Sequence, residues 1–565
     1  MKKLTSGVFI VILAVAVLVS ACAGPATTPV TTPAATPTPG ITPSPVATPT
    51  PGVTPSPGAT PVASPRPSPA ATPAASPKPG EPTPKSGGHW VHVLPHVPGT
   101  ALGNTREASG PTVMSVHLVL ETMVYLLADG TMMPRLATKW EIDSTSAQPS
   151  ITFFLRKGVK FHDGTDFNAE AVKWNLEFIR EGVHAATMVF IRSIDIIDSH
   201  TIKVNFTEWL NTLPATVGRF WMISPTAFQK NGLEWIRWNM VGTGPFTQVE
   251  YRHEVRLVTK KNPNYWDPGL PYLDGVTYLY ITDDMTAQAA LMAGEGDTLH
   301  NRNQKLAKEL FDAGFEVQAP FRGINMLIPS SKDPAEPWSR VQVRQAAEHA
   351  INKEAIGNAF GYGYDIAAYQ VASPFNSAFN KDLKPRTYDL ERARQLLREA
   401  GFPSGFRTKM IVHPAADRNI AVAMKEDLAK VGIMVDLEFP EIGAFTRFQR
   451  GTHYGLMYTP VTETVNFQSF FDLYIREPPN WFHSMAKPAG WQALLDRSRK
   501  TPLPDPVLLQ ELSKMVFDFA SVIPITYAVS SWSIRKGMRN IGIEKVSPVW
   551  EPEARSVWME TTVRR

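Results

Sequence analysis

Apolar and polar positions recur along this chain with two periods, and each period predicts a different kind of element. From His89 to Leu94 two sets alternate, Trp90, His92 and Leu94 against His89, Val91 and Val93, and a period of two is that of a strand. Ile151 to Arg156 and Val255 to Thr259 read the same way. A helix is expected around Val116 to Leu127, ended by a turn at Ala128-Asp129-Gly130-Thr131 in which glycine supplies a positive φ. Turns at Lys157-Gly158 and His162-Asp163-Gly164-Thr165 precede Asn168, which caps a helix over Ala169 to Arg180 with Val172, Leu176 and Ile179 at helical spacing. Further helices are predicted over Thr286 to Ala293, over Val341 to Ala359 entered through Trp338-Ser339, over Leu390 to Ala400 and over Ile420 to Val431. Gly401 and Gly432 close the last two. Strands and helices alternate throughout, so the class is α/β.

Two constellations invite chemistry and resist it. His89, His92 and His96 resemble a metal-ligand set, but residues 89 and 92 of one strand point to opposite faces and cannot chelate together. His162 and Asp163 resemble an acid/base pair, yet at a turn beside a helix cap they read as structural.

Composition sets the limits of the folded part. Twenty of the 50 prolines fall between Pro25 and Pro84, in a stretch without aromatic residues whose only charges are Arg66, Lys78 and Glu81, with Lys85 directly after it. Such a stretch has no core to form. All 14 tryptophans lie beyond it, from Trp90 onward. Setting aside Lys2, Lys3 and the linker's surplus, the formal charge of +4 leaves a body close to neutral, which disfavours a nucleic-acid partner. With one cysteine there is neither an internal disulfide nor a thiolate metal site, and no cofactor is expected.

Residues 1–21 read as a secretory signal: Lys2 and Lys3, an apolar run from Val8 to Val19, then small residues before Cys22. The run is too short for a comfortable membrane span. Val19-Ser20-Ala21-Cys22 resembles the bacterial lipobox, which implies a diacylated Cys22 anchoring the protein to the outer face of the cell membrane. Residues 22–88 cycle through Thr-Pro, Ser-Pro and Ala-Pro, a spacer of polyproline II character that could reach on the order of 200 Å.

Seven ordered segments carry a family resemblance. Glu121-Thr122-Met123-Val124 with Asp129-Gly130-Thr131, Pro134-Arg135-Leu136-Ala137 and Trp140 comes first, followed by Phe154 to Gly164 continuing through Ala169-Glu170-Ala171-Val172. Val241 to Phe246, Asn262-Pro263-Asn264-Tyr265-Trp266, Val343-Arg344-Gln345-Ala346 and Tyr388 to Phe402 follow, then Ile523-Pro524-Ile525. Together they resemble the family 5 extracellular solute-binding proteins, receptors of bacterial ABC importers. The resemblance implies a two-lobed periplasmic-binding-protein-like fold of the large cluster C type with a hinge. The first lobe would comprise 89–322 and 533–565, and the second 323–532. In that frame Trp140 and Trp266 are expected to fill cores between lobes, and Gly242-Thr243-Gly244-Pro245 to mark an abrupt backbone change between them.

The resemblance further implies a monomer that captures a peptide or other small solute and delivers it to permease subunits. Peptide-binding members hold the ligand's amino terminus with an aspartate soon after a tryptophan, and neither residue occurs in Leu456 to Phe467. Glu463 is the available substitute, and free di- and tripeptides are expected to bind poorly. The expected ligand contacts are Glu121, Asn325, Tyr458, Thr462, Glu463, Asn466 and Trp532. A surface hydrolase or ligand sensor is the competing reading, against which stands the lack of a Gly-x-Ser-x-Gly elbow or a His-Glu-x-x-His helix. Cys22→Ser should move the protein from the membrane fraction to the soluble one, read by fractionation after a high-salt wash. Retention in the membrane fraction would refute the anchor.

Overall fold

The computed structural model describes residues 83–560 apart from 100, 109–111, 128, 463–466, 542–545 and 548–553. The leader, Cys22, nearly all of the proline-rich spacer, Glu463 and Asn466 therefore lie outside the described residues.

His89–Leu94 forms the expected strand, and five of its six residues are buried, as befits a strand covered on both faces. It pairs in parallel with Gly275–Tyr280 on one side and Thr298–His300 on the other. These strands belong to a seven-stranded sheet in the order Phe246–Arg252, Arg256–Lys261, Gly275–Tyr280, His89–Leu94, Thr298–His300, Trp532–Ile534, Glu316–Gln318. A four-stranded antiparallel sheet, Ala137–Asp143, Ser150–Leu155, Thr201–Phe206 and Ile191–Asp198, shares its hydrophobic core, in which Trp90, Phe153, Phe206 and Phe246 are fully buried.

A second body is built on six strands in the order Ile366–Ala367, Ile523–Val529, Phe321–Pro329, Leu456–Thr462, Phe406–Val412, Ile433–Glu438. Its strands alternate between two cores. Leu456 and Tyr458 face one core, with helices Val341–Ala350, Leu390–Glu399 and Arg418–Ala429, whereas Met457 and Val461 face the other, with Trp491–Arg499 and Pro506–Phe519. Each fully buried side chain of this size contributes ~1.5–3 kcal/mol.

Several expectations change. The helix foreseen over 116–127 is one turn, Val113–Val116, followed by strands Glu121–Thr122 and Val124–Leu127. Met114 to Val124 is buried at every position, so no polar face exists to distinguish a helical from a strand period. The helix over 341–359 is two helices, Val341–Ala350 and Lys353–Gly361. They are divided at Ile351, which is extended, and at Asn352, whose side chain accepts from the Ala355 amide and starts the second helix. Trp140 and Trp266 pack against the core of the first body and not between bodies. His162 and Asp163 act structurally: the His162 ring bonds Gly244 O at 2.9 Å, and Asp163 accepts from Ser224.

Gly242 and Gly244 also serve a different purpose from the one expected. Neither has a positive φ; both pass so close to the backbone at Leu118–Leu120 that a Cβ would sit 2.2 Å and 2.6 Å from Val119 O. Gly242→Ala should therefore lower stability by about 2–3 kcal/mol through overpacking, measured as a shift in the urea midpoint. An unchanged midpoint would show that this segment moves aside at no cost.

Candidate functional site

The chain passes between the two sheets twice, at 318–321 and at 529–532. The passages are tied to each other by Ser530 N donating to Pro320 O at 2.9 Å. Both bodies add further bonds here. His300 from the first sheet bonds Ser530 Oγ at 2.6 Å, and Asn301 N donates to Ser531 O at 2.8 Å. From the second body, Asp365 Oδ1 accepts from Val529 N at 3.1 Å, and Gln304 Nε2 donates to Val529 O at 3.0 Å from the first.

Around these passages lies a group of polar and aromatic side chains. The Trp532 indole stacks on His92 with ring centres 4.5 Å apart and planes 4° from parallel. His300 leans on the same indole at 5.1 Å, and His96 lies 5.6 Å from His300. Burial pushes His92 down to about 3 and, with Arg302 and Arg322 nearby, His96 down to about 4; burial drives His300 well below its ordinary value. All three rings are neutral at pH 7, and each neutral imidazole offers one donor and one acceptor.

Arg322 opens the strand Phe321–Pro329, exposed to solvent yet partly desolvated, as expected of a residue on the wall of a cleft. Facing it, Asp365 is raised to about 7 by burial, with the Val529 amide and Arg322 opposing. Tyr458 on the neighbouring strand is fully buried. Its phenol is pushed far up by burial and by the carboxylates of Asp417 and Asp365. Among the described residues the Trp532 Nε1, His92 Nε2 and Tyr458 hydroxyl are buried without a hydrogen-bond partner. Such groups cost about 1–3 kcal/mol each unless something supplies the partner.

The expected contact residues are distributed unevenly over this picture. Tyr458 and Asn325 lie on adjacent strands of the second sheet, where Asn325 Nδ2 donates to Thr526 Oγ1 at 3.0 Å. Thr462 is exposed at the end of the same strand as Tyr458. Trp532, expected among the second lobe's aromatics, sits instead in the first sheet, opposite His300 and Gln318. Glu121 joins none of them: fully buried, it accepts from Arg135 Nε at 3.2 Å, Thr243 Oγ1 at 2.9 Å, Tyr265 OH at 2.7 Å and Trp266 Nε1 at 2.8 Å. It fastens the loop 262–267 to the short strand Glu121–Thr122, and its oxygens are occupied. Asp365, Arg322 and His300 were not foreseen, because they come from three distant segments with no shared motif. Among the described residues no group of three or more His, Cys, Asp or Glu side chains is placed to hold a metal ion.

Two α/β bodies joined by paired passages, with polar groups gathered between them, define a two-lobed binding protein. Comparison agrees: the profile of the bacterial extracellular solute-binding proteins, family 5 Middle, matches residues 131–475, and the chain belongs to that family. The glutathione-binding protein GsiB of Shigella flexneri is 34% identical over 315 residues, 52% of this chain and 58% of that protein. GsiB of Escherichia coli K12 gives the same figures. The match thus spans 58% of the relatives' own length. Among solved structures, DppA from Helicobacter pylori in complex with the peptide STSA has a TM-score of 0.66 at 22% identity, over 84% of this chain and 99% of that one. HbpA2 from Haemophilus parasuis has a TM-score of 0.74 at 19% identity, over 84% and 100%. The fold is the two-lobed periplasmic-binding-protein fold.

Asp365 lowers stability as pH rises. Its folded pKa, about 7, lies above the unfolded value of 3.8, so the cost appears from about pH 4 and is complete above pH 7. Asp365→Asn, which keeps an acceptor for the Val529 amide, should stabilise the protein by about 2 kcal/mol more at pH 8 than at pH 5. Chemical denaturation at the two pH values measures this, and equal gains would mean that Asp365 ionises normally.

Proposed function

We propose that the chain is the substrate-binding lipoprotein of a bacterial ABC importer, held at the outer face of the membrane through Cys22. It acts as a monomer and passes its ligand to membrane permease subunits. In this reading the first lobe ends within the passage 318–321 and resumes within the passage 529–532, so that Trp532 belongs to the first lobe and Arg322 to the second, against the bounds of 89–322 with 533–565 and 323–532 expected from the sequence. The protein binds and releases without chemistry on the ligand.

The observation that carries the reading is the set of polar groups contributed by both bodies at the two passages. His92, His96, His300 and Trp532 come from one side, and Arg322 and Asp365 from the other. A guanidinium and a buried carboxyl of raised pKa suit a zwitterion: the first takes a carboxylate, and the second becomes ionised when an ammonium arrives to pair with it. Neutral imidazoles and the indole N–H then complete hydrogen bonds to amide and carbonyl groups along the ligand. The ligand proposed is a short peptide-like acid, and the relatives that bind glutathione support that class. Asp365 takes over the ammonium-binding role for which the sequence offered only Glu463.

A thermal-shift screen of the intact protein with reduced glutathione, α-linked tripeptides, oligosaccharides and buffer tests this. Glutathione at 100 times its dissociation constant should stabilise by about 2.7 kcal/mol. Arg322→Gln should weaken binding at least tenfold, about 1.4 kcal/mol. Stabilisation by oligosaccharides alone, or binding indifferent to Arg322→Gln, would overturn the peptide-acid reading.

A further inference from the structure

The two bodies also meet at a second place, through groups that no binding motif predicts. The loop after strand Thr201–Phe206 belongs to the first body, since Trp209 packs in its core. That loop reaches the carboxyl end of helix Trp491–Arg499, which is rooted in the second body by Trp491, Leu494 and Leu495. Trp209 Nε1 donates to Thr501 O at 2.9 Å, and Asn211 N donates to Arg499 O at 2.9 Å. Asn211 Nδ2 donates both to Ser498 O at 2.7 Å and to Thr501 Oγ1 at 2.9 Å. Lys500 Nζ donates to Trp209 O at 3.1 Å and pairs with Glu208 at 3.3 Å. Asn211 and Ser498 are both 0% exposed.

The acceptors Ser498 O and Arg499 O are carbonyls of the last turn, which a helix leaves without intrahelical partners. Asn211 caps that helix from the opposite body. The match is incomplete in one respect: Asn211 Oδ1 is buried without a partner, a penalty that is relieved as soon as water reaches it. A contact with several bonds gained and one buried acceptor unpaid is strong enough to bias a conformational equilibrium and weak enough to reverse.

We propose that Asn211 is a positioning residue for ligand capture, capping the second lobe's helix only while the lobes are together and so setting the fraction of protein that is closed. It does this without touching the ligand. The inference rests on the reading of the protein as a two-lobed receptor that opens and closes. Apparent affinity scales with the closed, competent fraction, so loss of the cap weakens ligand binding from a distance.

The test uses the intact protein and three variants. Asn211→Ala removes both side-chain bonds. Asn211→Asp keeps the shape and sets a carboxylate against the Ser498 carbonyl and the Thr501 hydroxyl at the negative end of a helix. Lys500→Ala removes the flanking contact and leaves the buried part untouched. In hydrogen exchange without ligand, protection of 207–212 and 498–503 should fall about tenfold in Asn211→Ala and further in Asn211→Asp. Lys500→Ala should lose about twofold to threefold. Strands Ser150–Leu155 and Phe321–Pro329 should keep their protection in all three. Only Asn211→Asp should open more as pH rises from 5 to 8, a signature that a general packing defect lacks. With reduced glutathione as probe, Asn211→Ala should dissociate about tenfold faster with little change in association. Unchanged protection at 207–212 in both Asn211 variants overturns the proposal, as does equal loss across both bodies in the Lys500→Ala protein. Failure of the wild-type protein to bind glutathione counts against the ligand reading alone, because the exchange arm decides the cap without it.

Discussion

Among the described residues the chain passes between the two sheets twice, and much of what holds the sheets in register with one another is concentrated at those passages. Here the constraint is the pair of strands leaving the seven-stranded sheet at Gln318 and returning to it at Trp532, tied by the Ser530 amide on Pro320 O. Everything near them follows from the need to satisfy backbone that has left one ladder and not yet joined the next. Asp365, Gln304, Asn301 and His300 supply those bonds. On the proposed function, several of the residues that fasten the passages are also those of the ligand site, so that hinge and site would share side chains. Elsewhere Gly323 shows how tightly this region is packed, since a Cβ there would lie 2.2 Å from Val461 O.

The architecture was readable in the sequence wherever a local rule decides. Asn168 caps its helix through the Ala171 amide as its residue type requires, and Gly401 and Gly432 take the positive φ that helix ends need. The alternation at His89–Leu94 was likewise a strand. Local rules failed where burial is complete, as from Met114 to Val124, and where one residue outweighs a long apolar pattern, as Asn352 does between two helices.

The site was legible only in part, for a physical reason. Tyr458 and Asn325, both expected contacts, stand on adjacent strands of the second sheet, with Tyr458 turned into its core. Asp365, Arg322 and His300 are 22 to 65 residues apart in sequence and acquire their roles from the packing of two bodies. Glu121 illustrates the converse error. A lone carboxylate in an apolar run looks like a ligand contact, yet burial without partners is too costly to keep, and four donors from residues 135, 243, 265 and 266 occupy it. The same physical demand that makes a buried carboxylate conspicuous in sequence makes it structural in the fold.

Asp365 is the instructive contrast. Its carboxyl has one backbone donor and the charge of Arg322 where Glu121 has four bonds, and burial accordingly holds its pKa near 7. The proposed site, with Asp365 and the unpartnered Trp532 indole, would store free energy that a ligand of matching polarity recovers on binding. The alternative, a fully paired pocket, would have to break its own bonds to admit any ligand and would gain little in exchange. In a receptor that closes on its ligand, donors left unpaired destabilise the empty closed form relative to the filled one, and that difference lets ligand shift the balance between open and closed lobes. On the proposed function, the stability given up at the passages is what would make closing of the lobes responsive to ligand.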